Sequence, residues 1–221
     1  IGIFCIIGVE SAVDSLERDI RDSFEKLGED VVYVSRFSWG EDPSQNWWKY
    51  RRRPEPSPRD YEAISERSDL AASATFFSFI GAKTAKFRNS SVERAFMVAV
   101  TYEYGDIFKV ELQKGRYFSI LEYQQGAPKV VIGHKVAESL FGSLDPIGRE
   151  IKVGGYNMEV IGMVEPSGED LISIIDYDEV LMVSFPFGKQ LVNFSPGANF
   201  NGGVAVKAGN REGLEELKHE L

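Results

Sequence analysis

The residues of this 221-residue chain whose types suit chemistry are few and far apart. His134, His219 and Cys5 are its soft ligands, and none of their spacings matches the close pairs that hold zinc. Asp170, Asp176, Asp178 and Glu179 gather carboxylates as a calcium loop does, yet they lack the glycine and the terminal glutamate that such a loop requires. Glu165 and Glu169 resemble the paired acids of a glycosidase, but a solvated loop has the same composition, and no acid pair is assigned. There is no G-x-x-x-x-G-K-[ST] cradle for nucleotide phosphates and no G-x-S-x-G elbow for a nucleophilic serine. Both histidines stand beside helical patterns with no nucleophile near them. The chain is therefore expected to carry no catalytic, cofactor-binding or metal-ligating residues of its own.

Two stretches instead carry the chemistry of contact. SWGEDPSQNWWKYRRRPEPSP is aperiodic and rich in proline, so it reads as a loop. Within it Trp47, Trp48, Tyr50, Arg51, Arg52 and Arg53 form a candidate partner or interface loop, because aromatic rings beside guanidinium groups are enriched at binding hot spots and membrane interfaces. The alternative is that the tryptophans fill a gap in the core and the arginines are solvated. The second stretch opens the chain. Ile6, Val9, Val13, Leu16, Ile20, Phe24 and Leu27 recur every three or four residues while charged residues take the other faces, and Gly28 supplies a stop. This is a long amphipathic helix. Val9, Val13, Leu16, Ile20 and Phe24 are its candidate coupling face, set against the same helix of a second copy or, alternatively, against the domain's own core. IGIFCIIGV, ending at Glu10, is too short to span a bilayer, which takes about 20 apolar residues, and lacks a basic leader region. It reads as the cut end of a membrane helix, the alternative being an ordinary buried helix start. From Glu10 such a helix would rise on the order of 25 Å at 1.5 Å per residue, as a stalk.

The remaining elements are legible from pattern. Asp30 to Phe37 is a β-branched strand, and Ser57-Pro58 opens a helix with Asp60 near its positive end and Tyr61, Ile64 and Leu70 on its buried side. Ala71 to Phe87 is extended, Asn89-Ser90 turns the chain, and Glu93 to Thr101 returns as the second strand of a hairpin. Gly105 to Phe108 and Gln113-Lys114-Gly115 are expected to break the chain. PKVVIG is a strand, Val136, Ala137, Leu140 and Phe141 mark a short helix ending at Gly142, and two further strands, 150–153 and 156–164, meet at Gly154-Gly155. After an apolar cluster at 171–175 come strands over 179–184 and 202–208, and Asn210 is expected to cap a closing helix with Leu214, Leu217 and Leu221 on one side. The order predicts an α+β fold: a stalk over 1–28, one discontinuous subdomain over 29–85 and 186–221, and a smaller α/β subdomain inserted between them over 86–185.

Composition narrows the function. A net charge of -9 argues against nucleic acid as a partner, because phosphate affinity needs clustered cations. One cysteine cannot form an internal disulfide.

V-V-I-G at 130–133, V-A-E-x-L-F-G at 136–142, D-P-I-G-R-x-I at 145–151 and V-I-G-M-V at 160–164 resemble, in that order, the extracytoplasmic core domain of MacB-type ABC transporter permeases, a family that includes the lipoprotein-releasing and FtsX-like permeases. Gly115 to Ser119 is similar to the family's G-R-x-F-S step. Leu27 to Val34 resembles its L-G-x-N-x-x-x-V approach to the first strand, with Asp30 where asparagine is common, and His134 falls where the motif is variable. The resemblance implies a porter-like α/β subdomain with a smaller α/β insertion and membrane helices flanking the domain in the inner membrane. It also implies a second permease copy, ATP held by a separate ATPase domain or subunit, and a periplasmic adaptor or a cargo as further partners. The function so implied is non-catalytic: cytoplasmic ATP-driven motion is coupled to export of a peptide, drug or lipoprotein, or to activation of a partner. A stand-alone membrane-anchored ligand-binding or hydrolytic domain is the competing class. A pilin-like subunit, the third reading, offers no place for the DPIG and VIGMV steps.

Overall fold

A computed structural model of the chain describes residues 13, 30–36, 53–166, 176–194, 201–209 and 213–221. Its frame is a nine-stranded mixed sheet. β1 (Val31–Ser35) pairs antiparallel with β9 (Asn201–Ala208), which pairs antiparallel with β2 (Ala71–Phe87), and β2 forms the expected hairpin with β3 (Ser90–Val100). From β3 the sheet continues through β8 (Val180–Ser184), parallel to β3, then β5 (Lys129–Ile132), then β7 (Tyr156–Val164), to β4 (Leu112–Gly115) at the edge. β6 (Glu150–Val153) pairs with β7 and with the far end of β2. β2 thus spans the whole height of the sheet, about 50 Å for 17 residues at roughly 3.3 Å each. It also carries the sheet unbroken across the sequence-expected border at 85/86.

The strand patterns explain this placement. In β3, β5 and β8 successive residues are buried on opposite faces, so KVVI and VLMVS read as continuous apolar runs. One face packs under α1 (Pro58–Arg67), α4 (His134–Phe141), α5 (Phe185–Leu191) and α6 (Leu214–Glu220), with Phe76, Leu140, Phe141, Met158, Leu181 and Leu217 in the same cluster. The other face packs Val98, Val131, Ile161 and Met182 under the segment that includes α2 (Tyr104–Ile107) and leads to α3 (Ile120–Gln124).

Most local expectations hold. In α1 Pro58 takes the first position, and the Asp60 carboxylate accepts the Ser57 backbone N–H at 2.7 Å and its hydroxyl at 2.8 Å. α4 buries Val136, Ala137, Leu140 and Phe141. β6 and β7 meet at Gly154 and Gly155, both with positive φ. Four details differ. The hairpin turn is Arg88-Asn89, one residue earlier than expected, since Phe87 pairs with Ser90. Gln113-Lys114-Gly115 does not break the chain but pairs with β7 as an edge strand, where a polar sequence is solvated on its free side. The closing helix starts at Leu214 with Gly213 as its N-cap, whereas Asn210 lies outside the described residues, and Leu221 is exposed while Leu217 is fully buried. The short helices α3 and α5 have no counterpart in the sequence reading.

Candidate functional site

The central block is built to hold a shape. Gly115, at φ +79, ends β4 where a Cβ would stand 2.2 Å from the Ile161 carbonyl, so only glycine lets the chain turn there. Arg116 then reaches Glu122 with both terminal guanidinium nitrogens, at 2.6 and 2.7 Å, while the Glu122 carboxylate also accepts the Ser119 N–H at 3.0 Å and its hydroxyl at 2.8 Å. The Arg116 hydrogen bonds are the main cause that lowers the Glu122 pKa to about 2. Phe118, between them, is buried against the sheet. Each residue of the G-R-Y-F-S step except Tyr117 therefore has a structural task in capping α3 and seating it on the sheet. Tyr117 joins a cluster with Tyr104 and Tyr177, whose hydroxyls lie 2.9 Å apart. Burial pushes the Tyr104 and Tyr117 hydroxyls well above the usual phenol range, so these two remain protonated and act only as neutral hydrogen-bonding groups.

The DPIG corner is equally structural. Arg149 Nε donates to the Asp145 carbonyl at 2.6 Å, Gly148 N–H to Val160 at 2.8 Å, and Val160 N–H back to Arg149 at 2.9 Å, which locks the corner onto β7. At the start of α4, Gly133 lies so close to the 3-10 turn at Tyr177–Glu179 that a Cβ would stand 2.3 Å from the Asp178 carbonyl. Of the acidic cluster, Asp170 lies outside the described residues. The Asp176 carboxylate accepts the Asp178 N–H at 3.0 Å, and Lys135 Nζ stands 3.5 Å from buried Asp178. Among the described residues no group of three His, Cys, Asp or Glu side chains could hold a metal ion. His134 is the first residue of α4, and His219 sits exposed in the last turn of α6.

The candidate contact residues fall mostly outside the described residues. Of the coupling face, Val13 is helical and 55% exposed, whereas Val9, Leu16, Ile20 and Phe24 lie outside. Of the interface loop, Arg53 is exposed at a bend, whereas Trp47, Trp48, Tyr50, Arg51 and Arg52 lie outside. One feature of the surface was missed. At the far end of β2, Lys86 stands directly opposite Lys152 of β6 in the ladder, while Arg88 and Arg149 stand over the Phe87 ring. Lys86 was readable in the sequence; its pairing with Lys152, over 60 positions later, was not.

Known proteins share this architecture. The sequence profile of the family described as MacB-like periplasmic core domain matches residues 1–221. The pyoverdine export ATP-binding/permease protein PvdT of Pseudomonas fluorescens is 24% identical over 229 aligned positions, covering 98% of this chain and 32% of that protein. The macrolide export ATP-binding/permease protein MacB of Chlorobium luteolum is 30% identical over 122 positions, 55% of this chain and 18% of that protein. The chain thus spans about a third or less of these relatives. Among solved structures, the periplasmic region of MacB from Actinobacillus actinomycetemcomitans superposes with a TM-score of 0.67 at 16% identity, covering 89% of this chain and 86% of that one. The extracellular domain of the ABC-type transporter YknZ gives a TM-score of 0.63 at 19% identity, covering 84% and 87%. At these identities the likeness is one of fold.

Proposed function

The chain belongs to the MacB-like periplasmic core domain family, and from this premise we propose that it is the extracytoplasmic part of an ABC transporter permease, lying outside the inner membrane and passing on motion that ATP drives in the cytoplasm. It performs no reaction itself. The ATP is held by an associated nucleotide-binding domain, since the chain has no phosphate cradle. A second permease copy completes the working unit, and the cargo or an adaptor meets the outer domain. The relatives' names speak of export of pyoverdine and of macrolides; the class of cargo here is an exported small molecule, peptide or lipoprotein, or a partner to be activated.

The observation that carries this reading, beside the family, is where the chain enters and leaves the sheet. Ala208 at the end of β9 donates its N–H to the Asp30 carbonyl just before β1, at 2.8 Å, and Gly209 donates to Leu70 at 3.0 Å. α6 packs beside β1. The start of β1 and the end of β9 therefore lie at the same end of the sheet, as a domain slung between two membrane segments requires. Among the described residues no helix is long and apolar enough to cross a membrane.

The test is topological. In the complete protein Cys5 is replaced by Ala and a single cysteine is placed at exposed Ser143, beyond α4. Intact cells treated with a maleimide that cannot pass the inner membrane should label this position without lysis. Labelling only after lysis would put the domain in the cytoplasm and sink the proposal.

A further inference from the structure

We propose that Glu103 and the rings of Tyr61, Tyr102 and Tyr123 form a binding site for a small organic ammonium cation. Three parts of the fold meet there. α1 supplies Tyr61, the turn that follows β3 supplies Tyr102 and Glu103, and α3 supplies Tyr123. All four side chains are half-buried, so each is backed by protein on one side and reachable from solvent on another.

The carboxylate supplies the charge. Glu103 immediately precedes α2, yet its side chain makes no capping hydrogen bond to that helix. It turns instead to α1, where it accepts the Tyr61 hydroxyl at 3.2 Å, a partner 42 positions away in sequence. Asp106 follows in the first turn of α2 and adds to the negative potential.

The tyrosines supply walls. The rings of Tyr102 and Tyr123 stand at 65° with their centres 5.8 Å apart, which makes an aromatic corner. Tyr123 is seated on both buried clusters, and its hydroxyl takes a hydrogen bond from the Tyr102 backbone. Tyr61 is seated on the first cluster. Among the described residues Tyr102 joins neither cluster, so its ring is held by Tyr123 and the core does not depend on it. Burial pushes the Tyr61 hydroxyl up to about 12 and the Tyr123 hydroxyl higher still, and Glu103 adds to both shifts, so these walls stay neutral.

Chemistry chooses the ligand. A ring face attracts a cation through its quadrupole, and quaternary ammonium groups are the ligands that aromatic walls hold best. Calcium or magnesium would need about six oxygen ligands, and among the described residues no three His, Cys, Asp or Glu side chains gather to provide them. An anion would meet Glu103 and Asp106 as like charges. One carboxylate among rings therefore suits a large, weakly hydrated ammonium, which free amines and some lipid headgroups both carry.

The probe is choline, titrated into the 221-residue chain and followed by calorimetry and by the NMR signals of the tyrosine rings. The control is the dimethylbutanol in which carbon replaces the choline nitrogen, with the same shape and no charge. Choline should bind saturably and about tenfold more tightly than the alcohol. Glu103→Gln, which keeps an acceptor for Tyr61, should weaken choline about tenfold and leave the alcohol unchanged. Tyr102→Ala should weaken choline about three- to tenfold with Tm unchanged, a combination that a merely structural ring would not give. Equal binding of choline and the alcohol, no saturable binding, or undiminished choline binding by Glu103→Gln overturns the inference. Phosphatidylcholine vesicles separate the two sources of the cation. Capture of the vesicles by the wild type and not by Glu103→Gln assigns a lipid headgroup, whereas choline bound without vesicle capture assigns a soluble amine. The titration does not depend on membrane topology, so its failure leaves the labelling result at Ser143 standing.

Discussion

At the level of single residues, Glu122 shows how a family motif becomes a fold. Its carboxylate collects both Arg116 nitrogens and both Ser119 donors, so one side chain fixes the turn into α3. Replacing it by Gln keeps an acceptor but loses the charge, and should cost about 1 kcal/mol at pH 7, the scale of a surface ion pair combined with a capping contact. The pH dependence has a definite sign. The folded-state pKa of Glu122 lies at about 2, below its ordinary value of 4.5. The stabilisation is therefore fully present above about pH 4.5 and is lost as pH falls towards 2. Urea denaturation of wild type and Glu122→Gln at pH 7 and pH 2.5 should show the gap between them shrinking in acid; a constant gap would mean that Glu122 acts without its charge. The residue types of this step were readable in the sequence, as was their order. What Gly133 does was not, because the backbone it must avoid, at Asp178, is 45 residues away and no local pattern points to it.

Elements were legible in proportion to their length and their freedom from neighbours. α4 and the β6–β7 hairpin declare themselves through period and through Gly154-Gly155, since each closes its hydrogen bonds locally. α3 and α5, with five and seven residues, are too short to show a 3.6-residue period, and packing decides them: the α5 ring of Phe185 meets Phe76 edge-on at 5.1 Å. β4 was misread for the same reason, its polar sequence being tolerable only at an edge that tertiary pairing creates. Under the proposed function the amino-terminal stripe, which apart from Val13 lies outside the described residues, would carry the motion into the domain. A helix transmits motion because its backbone bonds are internal and bending it is costly. Leu16→Gly with Ile20→Gly in the complete transporter should soften it at about 1 kcal/mol per glycine, leaving ATP hydrolysis intact while export falls. Undiminished export, measured in cells beside hydrolysis by the purified transporter, would remove the stalk from the coupling path.

For the whole molecule, the sheet matters more than the division into parts. The segment order suggested two subdomains, one interrupted by the other, because order along the chain is all that periodicity can see. The pairings of β2 with β3 and with β6 join both expected parts in one sheet. Beneath it a single cluster holds Leu217 and Val204 from one expected part together with Leu140, Phe141 and Met158 from the other. Cores that share buried side chains unfold together, whereas two bodies joined by a linker need not. Leu140→Ala and Leu217→Ala each remove a fully packed leucine, at about 2–5 kcal/mol, and each should lower the same single transition in calorimetry, with calorimetric and van't Hoff enthalpies equal. Two transitions, each moved by only one of the substitutions, would mean that the two parts unfold as separate bodies. A single transition carries a mechanical consequence: force entering at the end where Asp30 and Ala208 meet is borne along β2 to its far end without a hinge to absorb it. Under the proposed function, a stiff domain of this kind would deliver displacement at its membrane-proximal end as displacement at its far end.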